Sequence, residues 1–117
     1  MSNPNTPAPT VVLVHGAWTD GSSWSRVIPL LQAKSLPVLA VQLPLTAIAD
    51  DAAATKRALA SLTGPVVLVG HSWGGVAITL AGIDPKVAAL VYVAAFAPKE
   101  DQSAGELVSA YESPPLL

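Results

Sequence analysis

Gly70-His71-Ser72-Trp73-Gly74 lies between the unbroken apolar run Val66–Val69 and a second apolar stretch that begins at Val76. As a bare pattern, Gly-x-Ser-x-Gly is only moderately specific. Between a β-run and a helix-forming run it demands a sharp strand-to-helix turn. A serine at the tip of such a turn is held in a strained backbone conformation, so its hydroxyl stands clear of the sheet. Gly70 and Gly74, two residues before and two after, leave room for the chain to fold back on itself. The motif therefore marks Ser72 as a candidate nucleophile on a nucleophile elbow and commits this part of the chain to an α/β arrangement.

The rest of the 117 residues keeps that alternation. Val11–Val14, bounded by Pro9 and Gly16, reads as a strand buried on both faces. A helix follows, with Ser22 or Ser23 as its cap and Trp24, Val27, Ile28, Leu30 and Leu31 at helical spacing; Pro29 should kink it or delay its regular part. Pro37–Val41 is a second short strand. Asp50 or Asp51 caps, or sits in the first turn of, a helix reaching about Leu62, which Gly64-Pro65 ends. Val66–Val69 is the third strand, Gly74 to about Ile83 the helix behind the elbow, and Val87–Val93 the fourth strand, entered through Asp84-Pro85. Right-handed crossovers between such strands give a parallel sheet with helices on both faces. Residues 1–9, with Pro4, Pro7 and Pro9, are expected to be a flexible or extended tail.

Composition narrows the function classes. Six basic and eight acidic residues give a net charge of −2, which makes no electrostatic case for nucleic acid or an anionic membrane. Without cysteine, and with only two histidines, neither a disulfide framework nor a metal site is expected. Gly70–Gly75 lacks both the dinucleotide-binding spacing and the lysine of a phosphate loop, so the site should need no cofactor. Nothing near the start reads as a secretory signal and no stretch reads as a membrane span, so the expectation is a cytoplasmic protein. Charged residues make up 12% of the chain against 51% hydrophobic, which suggests that some apolar surface is covered by something else.

Val11-Val12-Leu13-Val14-His15-Gly16-Ala17-Trp18 and Gly70-His71-Ser72-Trp73-Gly74-Gly75, together with Ser22-Ser23-Trp24 and Leu90-Val91-Tyr92-Val93, resemble the α/β-hydrolase superfamily, and more narrowly its small serine esterases and hydroxynitrile lyases. The resemblance runs from about Thr10 to about Pro98. It implies that residues 10–117 form the N-terminal half of an α/β-hydrolase domain, with the later strands and the segment carrying the catalytic histidine absent. It also implies a strand order in which the first strand lies between the second and third and the fourth lies outside the third. Ligands bind where such a chain reverses direction, beyond the carboxyl ends of the first and third strands, where His15-Gly16-Ala17 and Ser72 stand.

Acyl transfer needs a nucleophile, a base, and donors aimed at the developing oxyanion. Ser72 is the nucleophile. The amide of Trp73, at the amino end of a helix, is one oxyanion donor, and the resemblance implies that the amide of Ala17 is the other. His15, Gly16, Gly70, His71 and Gly74 support the two loops. Neither histidine is well placed as the base: His71 adjoins Ser72 and should project elsewhere, and His15 ends a buried strand. Asp20, Asp50, Asp51 and Asp84 read as turn or helix-start residues, and Glu100 and Asp101 as solvated loop charges. Trp18 and Trp73 flank the expected pocket, with Trp18 a substrate-pocket residue and Trp24 a core residue.

The expected function is hydrolysis of a small, largely apolar carboxylic ester. Alternatives are cyanohydrin cleavage, against which the resemblance counts Gly16 where such lyases have threonine, and a non-catalytic truncated or receptor-like binding module. Val87–Val93 carries neither proline nor charge to discourage pairing along an open edge. A second copy, giving a homodimer, or a complementary C-terminal fragment is expected to cover it.

Overall fold

The computed structural model describes residues 8–95. Four strands, β1 (Thr10–Val14), β2 (Val38–Val41), β3 (Val66–His71) and β4 (Val87–Val93), form one sheet in the order β2-β1-β3-β4. All three pairings are parallel. The helices are α1 (Ile28–Gln32), α2 (Ile48–Ala60) and α3 (Gly74–Ala81), with a single 3-10 turn at Gly21–Trp24.

The sheet is covered on both faces, and the alternation of side chains along β1 shows how. Val12 and Val14 point to a core shared with Ala54 and Leu59 of α2 and Ala77, Ile78 and Ala81 of α3. Val11 and Leu13 point the other way, to Trp24, Ile28 and Leu31. A strand clothed on both sides reads as a continuous apolar run rather than an alternating one. Among the described residues no helix is long and apolar enough to cross a membrane.

The first helical region departs from its sequence reading. Its regular part begins only at Ile28, where Pro29, at the second helical position, removes a donor that the first turn does not use. Ahead of it the chain makes the 3-10 turn, and the cap is neither Ser22 nor Ser23 but Asp20, which accepts from the Ser22 amide at 2.8 Å. The Ser22 hydroxyl and amide hold the Asp20 carboxyl below its usual range. Asp50 and Asp51 fall in the first turn of α2, where the helix dipole favours them. β3 runs two residues beyond Val69 and α3 stops at Ala81, short of Ile83. Residues 1–7 of the expected tail, and Glu100 and Asp101, lie outside the described residues.

Among the described residues β4 is the outer strand on one side. Five of its seven residues are exposed, among them Leu90, Val91 and Val93.

Candidate active site

Non-glycine residues with positive φ gather at one end of the sheet. Trp18 (φ +59°), Leu45 (+59°), Ser72 (+54°) and Ala94 (+44°) follow the carboxyl ends of β1, β2, β3 and β4; among the described residues only Ser35 lies elsewhere. Left-handed backbone costs an L-residue of order 1 kcal/mol or more and persists only where its surroundings enforce it. At Ser72 the enforcement is visible. Its amide donates to the Val93 carbonyl at 3.3 Å, and its own carbonyl accepts from Gly75 at 3.0 Å, which starts α3 immediately.

The tightness of the turn comes from space rather than from glycine torsions, since among the described residues no glycine has a positive φ. A Cβ on Gly70 would lie 2.7 Å from the Gly74 carbonyl oxygen, and one on Gly16 would lie 3.1 Å from Ser72 Cβ and 3.3 Å from the His71 carbonyl. The loop after β1 therefore rests directly against the turn that carries Ser72.

His15 sets the orientation of that loop. Its ring is fully buried; Nε2 accepts from the Leu43 amide at 2.9 Å, so Nδ1 carries the proton and donates to the Gly16 carbonyl at 2.7 Å. Gly16 O and the Ala17 N–H belong to one planar trans peptide and point in opposite directions. Fixing the first therefore fixes the second. Trp73 occupies the N-cap position of α3, and among the described residues neither the Ala17 nor the Trp73 amide donates to another protein group. Two N–H groups, one beside the β1 loop and one at a helix start, flank the turn that carries Ser72. This arrangement suits binding of a developing negative charge.

Replacing His15 with leucine should strand the buried Leu43 amide and release the Gly16–Ala17 peptide. The expected loss is about 2 kcal/mol, lowering the melting temperature by roughly 10 °C. A melting curve that coincides with the wild type would show that the ring is not the anchor.

The remaining expected residues divide clearly. His71 is exposed and makes a T-shaped contact with Trp24, 6.3 Å between centroids at 81°; Trp24 is buried, as its helical spacing suggests. Trp18 is 74% exposed beside the β1 loop. The half-buried Trp73 indole donates from Nε1 to Asp51 Oδ2 at 2.8 Å and packs with the α2–α3 core. Asp50 accepts from the Thr46 hydroxyl and Asp84 from the Lys86 amide, both local turn contacts. Among the described residues no side chain is hydrogen-bonded to the Ser72 hydroxyl.

Asp51 is the residue that the sequence reading undervalued. It is 1% exposed and bridges the Leu45 amide and the Trp73 indole. The available signal was its place at i, i+4, i+8 with Thr55 and Leu59, all buried. A carboxylate on the buried stripe of a helix has more to do than start it.

Residues 11–116 match the alpha/beta hydrolase family. Salicylic acid-binding protein 2 of Nicotiana tabacum is 33% identical over 115 residues, covering 86% of this chain and 44% of that protein. Methylesterase 1 of Arabidopsis thaliana is 32% identical over 118 residues, covering 87% and 45%. The crystal structure of a pyrethroid hydrolase superposes with a TM-score of 0.74 at 29% identity, over 87% of this chain and 46% of that one. The chain thus spans less than half the length of these curated relatives.

Proposed function

We propose that this chain, which belongs to the alpha/beta hydrolase family, supplies the nucleophile and the oxyanion-binding amides of a serine esterase acting on small, largely apolar carboxylic esters. The observation that carries the reading is Ser72 at φ +54° between β3 and α3, beside the Trp73 amide. In this reading Ser72 Oγ attacks the ester carbonyl carbon and its proton passes to a base. The carbonyl oxygen, now negative, is held by the Trp73 and Ala17 amides. The tetrahedral intermediate then collapses: the alcohol leaves with the proton and the acyl group stays on Ser72 until water removes it. Each amide aimed at the oxyanion is worth about 3 kcal/mol in the transition state.

Relatives named as a methylesterase and as a pyrethroid hydrolase support ester cleavage as the reaction class. The test is hydrolysis of p-nitrophenyl acetate by the chain with imidazole as an external base. Ser72→Ala should remove the protein-dependent rate, and an unchanged rate would reject the reading. A second reading, a binding module that turns nothing over, draws on one observation: among the described residues neither histidine is hydrogen-bonded to the Ser72 hydroxyl, and both His15 ring nitrogens are engaged elsewhere. Ligand binding without Ser72-dependent turnover in the same assay would favour it.

We propose also that the outer edge of β4 is covered in solution, by a complementary segment or by β4 of a second copy. Its exposed apolar residues and its lack of proline and charge support this. A two-fold axis would pair two copies antiparallel into an eight-stranded sheet. Amide exchange along Val87–Val93 should be slow, and protein lacking a complementary segment should sediment as a dimer. A monomer with fast exchange along the strand would refute the proposal.

A further inference from the structure

The Asp51 carboxylate uses both of its oxygens on donors from different parts of the site. Oδ1 accepts from the Leu45 amide at 2.8 Å, in the loop after β2, and Oδ2 accepts from the Trp73 indole at 2.8 Å, next to Ser72. The carboxylate is buried at the start of α2, where the Thr55 hydroxyl, donating to the Asp51 carbonyl at 2.9 Å, braces the turn. Leu45 is itself in the left-handed region, at φ +59°, so this short loop keeps its shape through such contacts. Two residues earlier the same loop gives the Leu43 amide to His15, whose other nitrogen holds the Gly16 carbonyl. The contacts therefore run without a break from the peptide that carries the Ala17 amide, through His15 and the β2–α2 loop, to Asp51 and Trp73.

An apolar residue would fill the position of Asp51 with less desolvation, because a buried carboxylate is tolerated only when its lone pairs are met by well-placed donors. What the carboxylate adds is a direct polar link between two donors from different loops. We propose that Asp51 is a positioning residue for the oxyanion-binding amides, fixing the Trp73 side of the site relative to the Ala17 side through the loop that both share. The proposal rests on the reading of Ser72 as nucleophile for its chemical consequence but not for the coupling itself.

Asp51→Asn tests it with little change in volume, since a carboxamide can accept at one position only and must turn its NH2 toward either Leu45 or Trp73. In 15N spectra of the full chain, Asp51→Asn should move the Trp73 indole and Leu45 amide signals and also that of Ala17, which Asp51 does not touch. The rate at which a fluorophosphonate labels Ser72, with imidazole as base and well below the melting temperature, should fall roughly tenfold. Trp73→Phe, which removes the indole donor and keeps the backbone amide, should give a similar loss. The double variant should lose no more than either single one. An Ala17 amide indifferent to Asp51→Asn, or losses that multiply in the double variant, would overturn the proposal and leave Asp51 a local packing residue. Absence of any Ser72 labelling in the wild type would instead overturn the esterase reading, because Ser72 takes no part in the spectral coupling.

Discussion

Gly74→Val is expected to abolish folding of the chain, and Gly74→Ala to destabilise it by about 3 kcal/mol or more. A Cβ at this position would fall on the carbonyl oxygen of Val14 and within 2.7 Å of that of His15. Both obstacles are backbone, and Val14 belongs to a strand paired on both sides, with Val41 on β2 and Gly70 on β3. The neighbours cannot swing away as the end of a flexible side chain would, so relief must come from moving α3 off the sheet. That would also separate the Trp73 amide from the Ala17 amide. The alanine variant should melt roughly 15 °C lower than the wild type. Gly64→Ala, where an added Cβ meets nothing within 4 Å, is the matched control and should melt within a degree or two of it. Equal melting of the Gly74 variants and the wild type would mean that α3 does not cross β1 this closely.

Where local physics alone determines structure, the sequence was readable. The unbroken run Val11–Val14 could only be a strand covered on both faces, and both faces are covered. The turn between β3 and α3 was readable for the same reason: two glycines flanking a serine between a β-run and a helix former leave few other conformations, and Ser72 has a positive φ. The parallel sheet followed from the strand–helix alternation, whereas its strand order needed the family resemblance, since β2-β1-β3-β4 does not follow from any single segment.

What escaped the reading depends on partners far away in sequence. The Asp20 cap was missed in favour of two adjacent serines because all three are competent acceptors and only the path of the chain chooses among them. Asp51 looked like a helix-start residue because its two partners lie 6 and 22 positions away. Nothing local says which way the Trp73 indole turns; its hydrogen bond to the buried carboxylate on α2 could not be read from the sequence. His15 was recognised as a loop support, but its use of both nitrogens could not be read without knowing that the Leu43 amide comes to meet it.

Ser72 should react with an organophosphonate only when a histidine or equivalent base comes from outside the pair that the chain itself carries. His15 spends both ring nitrogens on Leu43 and Gly16, and the His71 ring forms a T-shaped pair with Trp24. The chain has no other histidine. An oxyanion site without a base still accelerates acyl transfer, while a positioned base adds about a hundredfold to ten-thousandfold. The most direct measurement is intact-mass detection of fluorophosphonate on the chain, alone and with imidazole or a complementary histidine-bearing segment. The expected result is little or no labelling alone, labelling at least about a hundredfold faster once the base is supplied, and none with Ser72→Ala. Labelling of the chain alone at a rate typical of serine esterases, abolished by Ser72→Ala and by either His15→Ala or His71→Ala, would contradict the account.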